Sequence, residues 1–281
     1  MAITAAVVNE LRQATGCGLM DCKKALIECE GDMEKAVMYL REKGLASQAK
    51  KASRVAAEGM AYATVIDGVG VVVEVNCETD FVANGEPFNN FVKGVAAVVA
   101  KENPADVDAL MGCPWVTGNG TVKDAKDELF LAIRENMNVR RFARIADGFS
   151  VPYVHMKGKI GVIVNLTVEG CDATEIGKNV AMQIAAASPL AVSAEGLNPE
   201  VVEHEREVYR QKAREEGKPE QIIEKIAEGA VKKFCKDVCL LDQLYIRDDK
   251  MTISDLIKGA AKTIGEPITV IRFVRIQLGA E

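Results

Sequence analysis

Eight cysteines and two histidines, His155 and His204, are the side chains of this chain best suited to metal or nucleophile chemistry, and their spacing argues against both. Zinc sites draw on close pairs such as CxxC. Here Cys17, Cys22 and Cys29 lie too far apart for a zinc knuckle, Cys235 and Cys239 have helical spacing, and no CxxC pair occurs. A cysteine or serine nucleophile needs a base beside it, and two histidines leave few candidates. Neither a GxxxxGK[ST] phosphate cradle nor a GxGxxG after a strand is found. The cysteines therefore read as small buried apolar side chains. The inventory is that of a binding protein, not an enzyme, with no cofactor and no metal. What remains is recognition. The segment Cys77 to Gly85, CETDFVANG, sets Asp80 beside Phe81 among turn-forming residues. A rigid scaffold could present such a pair to a partner. The same residues also allow Asp80 to cap the next helix while Phe81 staples back onto the core, and taken alone they leave both readings open.

The bulk properties bound the rest. With 281 residues and 48% hydrophobic content, the chain can build two or three modest domains with cored interiors. A net charge of -6, from 35 Lys and Arg against 41 Asp and Glu, supplies no basic stripe for a phosphate backbone. Direct nucleic-acid binding is disfavoured. A chain of this size that opens with no signal peptide reads as cytoplasmic, with reduced thiols. No apolar run approaches the roughly 20 residues that span a bilayer.

The elements follow from periodicity. Thr4 can cap a first helix carrying Val7, Val8 and Leu11 that stops near Thr15 and Gly16. A second helix after Gly18 carries Cys22, Ala25, Leu26 and Cys29 on one face. A third, capped by Asp32, uses Met33, Ala36, Val37 and Leu40 and is expected to end at a left-handed Gly44. Ala46 to Arg54 then reads as a basic tether. Leu19 and Met20, at the turn before the second apolar stripe, could form an exposed tip or pack beneath the first helix.

An internal repeat organises the remainder. Thr121 to Ile145 matches Thr252 to Ile276 without a gap, at a constant offset of 131 residues. Asp124 pairs with Asp255, Ile133 with Ile264, Glu135 with Glu266, and VxRFxRI at Val139 with the same pattern at Val270. Upstream, the β-branched segments Gly70–Asn76 and Gly161–Thr167 read as equivalent strands. Each leads into a helix, one with Phe91, Val92, Val95 and Val98 inward, the other with Ile176, Val180 and Ile184. The expected unit is strand, helix, helix, strand. The arginine pairs Arg141 and Arg144, and Arg272 and Arg275, fall on opposite strand faces, and their expected work is structural, pairing a carboxylate or snorkelling past the sheet edge. The first copy has about six extra residues between strand and helix, and they contain Asp80 and Phe81. The second has its own insertion, a helical hairpin turning at Gly217, Lys218 and Pro219. Its seam is expected to set Val202, Tyr209 and Ala213 against Ile222, Ile223, Ile226, Ala230 and Phe234.

The stretches LRQATGCGLMDCKKAL at Leu11–Leu26 and EVNCETDFVA at Glu74–Ala83 resemble the two signature motifs of bacterial elongation factor Ts. The resemblance runs the full length and takes in KIGVIV after His155, the EGKP turn at Glu216–Pro219 and the closing IRF at Ile271–Phe273. It implies an α+β fold: a three-helix head like a ubiquitin-associated domain with its tether (residues 1–54), and two pseudo-repeated core subdomains (55–148 and 149–281). A protruding coiled-coil hairpin would be inserted at about 199–234. It also implies guanine-nucleotide exchange on elongation factor Tu, with Thr79, Asp80, Phe81 and Val82 intruding at the partner's magnesium and phosphate site. Arg12, Leu19 and Met20 resemble the head's contact, His155 a core contact, and Ile246 and Arg247 a contact of the second subdomain. Leu19 stands where methionine is common, which keeps the contact apolar. The chain stops at Glu281, so the extra C-terminal helix of longer members is expected to be missing and partner affinity to be weaker. A homodimer or a 2:2 complex is left open. Two rival classes are a generic protein-binding scaffold and a small-ligand regulatory domain, the latter requiring a polar pocket between the copies.

Overall fold

The computed structural model describes residues 3–168 and 170–280, without the side chains of Leu45 and Ala49; Glu281, where the sequence stops, lies outside them. The first three helices are α1 (Ala5–Thr15), α2 (Leu19–Glu28) and α3 (Met33–Lys51). The Thr4 hydroxyl accepts from the Val7 N–H, and Gly16, left-handed at φ 66°, closes α1. The Asp32 carboxylate accepts from the Lys35 N–H and opens α3. Val8, Leu11, Cys17, Cys22, Ala25, Leu26, Ala36 and Leu40 pack together, with Leu131 joining them from outside the bundle. Two expectations fail here. Gly44 does not end the third helix, and Ala46–Arg54 is not a free tether, because α3 continues to Lys51. Gly44 serves close approach instead: a Cβ there would fall 1.8 Å from a Leu131 methyl. Val37, expected in the core, faces outward.

The rest is α+β, built on two three-stranded antiparallel sheets. The first comprises β1 (Glu58–Ile66), β2 (Val69–Cys77) and β3 (Asn138–Ile145), with β2 central. Between β2 and β3 run α4 (Asp80–Ala83), α5 (Glu86–Glu102), α6 (Val107–Gly112) and α7 (Val122–Ile133). The second half has β4 (Phe149–His155), β5 (Ile160–Thr167) and α8 (Thr174–Ala187). It continues with α9 (Pro199–Glu215), α10 (Glu220–Val238), the short strands β6 (Leu244–Tyr245) and β7 (Asp248–Thr252), α11 (Ile253–Ile264) and β8 (Thr269–Gln277). Its main sheet has the order β4-β5-β8. Each unit therefore begins one strand earlier than the periodicity indicated. Gly59, Ala61 and Ala63 in β1, and Pro152 in β4, dilute the β-branched signal on which a strand assignment rests.

The duplication extends to single hydrogen bonds. Thr121 with Asp124 and Thr252 with Asp255 form matching capping boxes at the starts of α7 and α11. Arg144 donates to the Ala100 carbonyl near the end of α5, and Arg275 to the Ala185 carbonyl near the end of α8. Both place a cation where the helix dipole is negative. Arg141 pairs with Glu74 and Arg272 with Asp147.

Both central strands are buried on two faces. Val71, Val73 and Val75 meet α5 and α7, while Val162, Val164 and Leu166 meet α8 and α11. The opposite faces of the two sheets press together through Ala61, Ala63, Val72, Ile145, Ile163 and Ile276. Gly70 and Gly161 permit this contact. A Cβ on Gly70 would lie 2.7 Å from the Ser150 Oγ, and one on Gly161 would lie 3.0 Å from the Ala61 carbonyl oxygen.

The helices α9 and α10 pack against each other in antiparallel fashion, closed by a left-handed Gly217 and laced by Arg210 to Glu224. Their buried seam is Ala213 against Ile223, Ala227 and Val231. Ile222 and Ile226, expected in that seam, are exposed. Turning by 100° per residue, α10 aims Ile223 at α9 and carries Ile222 and Ile226 to its flank. Among the described residues no helix is long and apolar enough to cross a membrane.

Candidate partner-binding site

The extra residues of the first copy form one helical turn, α4, at the end of the central strand β2. Thr79, not Asp80, is its cap: the Thr79 hydroxyl accepts from the Val82 N–H at 3.3 Å. Backbone bonds from Ala83 to Thr79 and from Asn84 to Asp80 close the turn, and the Asn84 amide adds a donor to the Asp80 carbonyl at 2.7 Å. Val82 and Ala83 are buried in the first core. They anchor a turn whose other side chains point away. Phe81 is 86% exposed and does not staple back. The Asp80 carboxylate is exposed and makes no hydrogen bond or ion pair among the described residues. A large aromatic at that exposure has no counterpart in the folding of this chain, since burying it would contribute roughly 1.5–3 kcal/mol.

The turn is held from beneath by residues to which the sequence assigned no site role. Glu135 accepts from the Thr79 N–H at 3.1 Å and from the Thr79 hydroxyl at 2.8 Å. Glu78 accepts from the Asn136 N–H at 2.6 Å and from Arg54 at 3.4 Å. The Asn136 donor, followed by Arg54, holds the Glu78 carboxyl below the ordinary carboxylate range. The Asn136 side chain donates to the Ala52 and Arg54 carbonyls. The Cys77 thiol is pushed up to about 12 by burial, with Glu135 adding to the effect, so it stays protonated and unreactive at neutral pH. A signal for this support exists in the repeat. At the positions of Arg134, Glu135 and Asn136 the second copy reads Gly265, Glu266 and Pro267.

The remaining candidates divide into those near the turn and those apart from it. Leu19 and Met20 are 46% and 61% exposed at the start of α2, with Ile3, Thr4, Val8 and Lys23 lining a hollow beside them. They form an exposed tip, and Arg12 is exposed on α1. The neighbouring Asp21 pairs with Arg134 at 3.1 Å, which ties this tip to the stretch that holds Thr79. His155 ends β4 with its Nδ1 3.0 Å from the Tyr153 hydroxyl. Next to it, Val154 and Lys157 share an open hollow of about 340 Å³ with Ala83 and Asn84 of the α4 region. Ile246 and Arg247 sit at the turn between β6 and β7, where the buried Gln183 accepts from the Ile246 N–H at 2.9 Å. No hydrogen bond among the described residues joins that turn to α4 or to the bundle.

A family model described as Elongation factor TS matches residues 78–280. The chain is 49% identical to the elongation factor Ts of Lawsonia intracellularis over the whole of both chains. It is 48% identical to that of Desulfovibrio desulfuricans over all of this chain and 99% of that one. It is also 48% identical to that of Clostridium perfringens, over 99% of this chain and 93% of that one.

Proposed function

This chain belongs to the elongation factor Ts family, and on that footing we infer that it is a guanine-nucleotide exchange factor: it binds elongation factor Tu carrying GDP and promotes GDP release so that GTP can bind, in translation elongation. It acts by binding and makes or breaks no covalent bond. Residues 1–54 are a head like a ubiquitin-associated domain, residues 55–148 and 149–281 are the core subdomains, and the α9–α10 pair is a protruding coiled coil. The observation that carries the reading is the capped Thr79–Val82 turn, with the Phe81 side chain 86% exposed beside the Asp80 carboxylate, which makes no ion pair among the described residues.

Exchange is reciprocal coupling between two ligands of one GTPase. Phe81 wedged between partner elements holds them displaced, and Asp80 near a bound magnesium ion disturbs its coordination. Both weaken the nucleotide more than they weaken the chain's own grip. A release enhancement of order 10⁴ needs roughly 5.5 kcal/mol of differential binding. One turn cannot supply that alone. Arg12, Leu19 and Met20 on the head, His155 on the core, and Ile246 and Arg247 on the second subdomain extend the contact.

Release of fluorescent GDP from elongation factor Tu, followed by stopped flow, tests this. Phe81→Ala with Asp80→Ala is expected to slow chain-stimulated release about tenfold to a hundredfold, the loss of one large apolar contact and one charge. An unchanged release rate, with the complex still forming, would sink the wedge reading.

A further inference from the structure

The two copies diverge most tellingly at three consecutive residues after α7 and α11. Arg134 adopts the left-handed conformation that ends α7, φ 65°, while the second copy has Gly265 there at φ 87°. A left-handed arginine is strained where glycine is free. Something must repay it, and Arg134 is bonded on two sides. Its guanidinium meets Asp21 of α2, and its carbonyl accepts from the Lys51 ammonium at 2.6 Å. Glu135 and Glu266 are identical in type, yet Glu135 takes both donors of Thr79 while Glu266 makes no hydrogen bond or ion pair among the described residues. Asn136 gives its N–H to Glu78. Pro267, its counterpart, has no N–H to give.

Taking the Thr79–Val82 turn as the exchange element, we propose that Glu135 and Asn136 are positioning residues for exchange: they lock the pose of Phe81 and, through Arg134, hold that turn at a fixed setting relative to the head. Glu135 works through the Thr79 hydroxyl. By accepting from the hydroxyl it turns the oxygen lone pair toward the Val82 N–H, so the cap and the carboxylate strengthen each other. Asn136 clamps the same stretch from the other side. Its N–H fixes Glu78, the residue before the cap, and its side-chain amide fixes the carbonyls of Ala52 and Arg54 just beyond α3. A wedge that swings freely loses its push as entropy, whereas one held in place delivers it on contact. The head's apolar tip and the wedge therefore meet the GTPase as one preset pair. The second copy keeps the glutamate without the extra turn and makes no such lock.

The test is stopped-flow release of fluorescent GDP from elongation factor Tu by the full chain, titrated to saturation, together with amide hydrogen exchange of the chain alone. Glu135→Ala, which removes both charge-assisted hydrogen bonds to Thr79, is expected to lower the saturating release rate about tenfold to a hundredfold. The half-saturating concentration should stay within about twofold, because Leu19 and Met20 are untouched. The Val82 amide should exchange faster. Glu135→Gln, which keeps one of the two acceptor oxygens, is expected to restore part of the rate. Adding Glu135→Ala to Phe81→Ala should cost nothing more. An unchanged saturating rate in Glu135→Ala, or a full extra loss on the Phe81→Ala background, overturns the proposal. A silent Phe81→Ala with normal complex formation overturns the exchange reading instead, and the Val82 amide then still decides whether Glu135 holds the turn.

Discussion

The two halves of the core share a frame and differ in what hangs from it. Strand order, register, capping box and the arginine that reaches a helix carbonyl are common to both. The first half adds the α4 turn, and also the segment around α6, whose Trp115 stacks on Phe91 with ring centroids 5.6 Å apart and closes over Gly94. In the second half the corresponding face of α8 and α11 is an open groove of about 430 Å³ lined by Ile176, Asn179, Leu256, Ala260 and Ile264. There the added chain goes into α9 and α10. The lesson is where variation is tolerated. The inter-sheet face keeps its glycines, Gly70 and Gly161, and its aliphatic positions, Val72 with Ile163 and Ile145 with Ile276. The connections on the helix side, facing solvent, are free to acquire a wedge in one copy and a helix pair in the other.

The sharpest break in that symmetry is chemical. Glu74 and Asn165 occupy the same bulged position in β2 and β5, and both are fully buried between the sheets. Glu74 accepts from Arg141 at 2.7 Å, the Gly279 N–H at 2.9 Å, Arg140 at 3.2 Å and Asn76 at 3.3 Å. Arg141 then reaches the Gln277 and Ala280 carbonyls, fastening the end of the chain to the first sheet. Asn165 donates to the Asp147 carbonyl and the Ser150 hydroxyl, and its Oδ1 has no partner among the described residues. Removing the carboxylate strands two arginines, so Glu74→Ala is expected to cost about 3–5 kcal/mol of stability. Asn165→Ala, losing two neutral bonds, should cost about 1–2 kcal/mol. Chemical denaturation of the two variants checks the ranking, and equal costs would mean that the sheets are held by their apolar faces alone.

Acid should expose the same asymmetry with a smaller effect. Burial raises the Glu74 carboxyl, but the Gly279 N–H, Arg141 and Asn76 outweigh it, and the net direction is downward. A depressed carboxylate contributes stability that is complete above its unfolded pKa, about 4.3, and is lost as pH falls through the lower folded value. Wild-type stability is therefore expected to fall below about pH 4.3, and Glu74→Gln to flatten that limb of the pH profile. Asp124 and Asp255 are also depressed, chiefly by the backbone N–H of Thr121 and the hydroxyl of Thr252. Occurring once in each copy, they leave the comparison unchanged. A profile of the same slope in Glu74→Gln would assign acid sensitivity to such surface carboxylates.

Much of this frame was legible in the residues. The capping signals at Thr4 and Asp32, the inward faces of α5 and α8, and the gapless repeat from Thr121 and Thr252 all correspond to local rules, and local rules are what sequence displays. The misreadings arose where a distant contact decides. Gly44 carries a helix-ending signal, yet Leu131, 87 residues on, needs its missing side chain to pack there. Strand β1 is poor in β-branched residues because Ala61 and Ala63 must let the second sheet approach. At α4, Asp80 and Phe81 could be found from the length difference between the copies, but the outward pose of Phe81 follows from buried Val82 and Ala83, which alternate with it around one turn. Glu135 was visible as half of a repeated pair. Its bond to Thr79 was not, because only the fold brings the end of α7 beneath that cap.

The smallest expected effect probes the strained residue that joins head and core. Arg134→Gly installs the second copy's residue in a left-handed position, removing a steric cost of about 1–2 kcal/mol while giving up an ion pair with partly exposed Asp21 worth about 0–1 kcal/mol. The Lys51 bond to the residue 134 carbonyl survives, since it needs only backbone. Stability is therefore expected to change by less than about 1 kcal/mol. The reciprocal Gly265→Arg gains no counterpart of Asp21 and should lose about 1–2 kcal/mol. Thermal denaturation of both variants measures the difference. A large loss in Arg134→Gly would show that the guanidinium, not the backbone, carries the join between α2 and α7, and would make Asp21 the residue to change next.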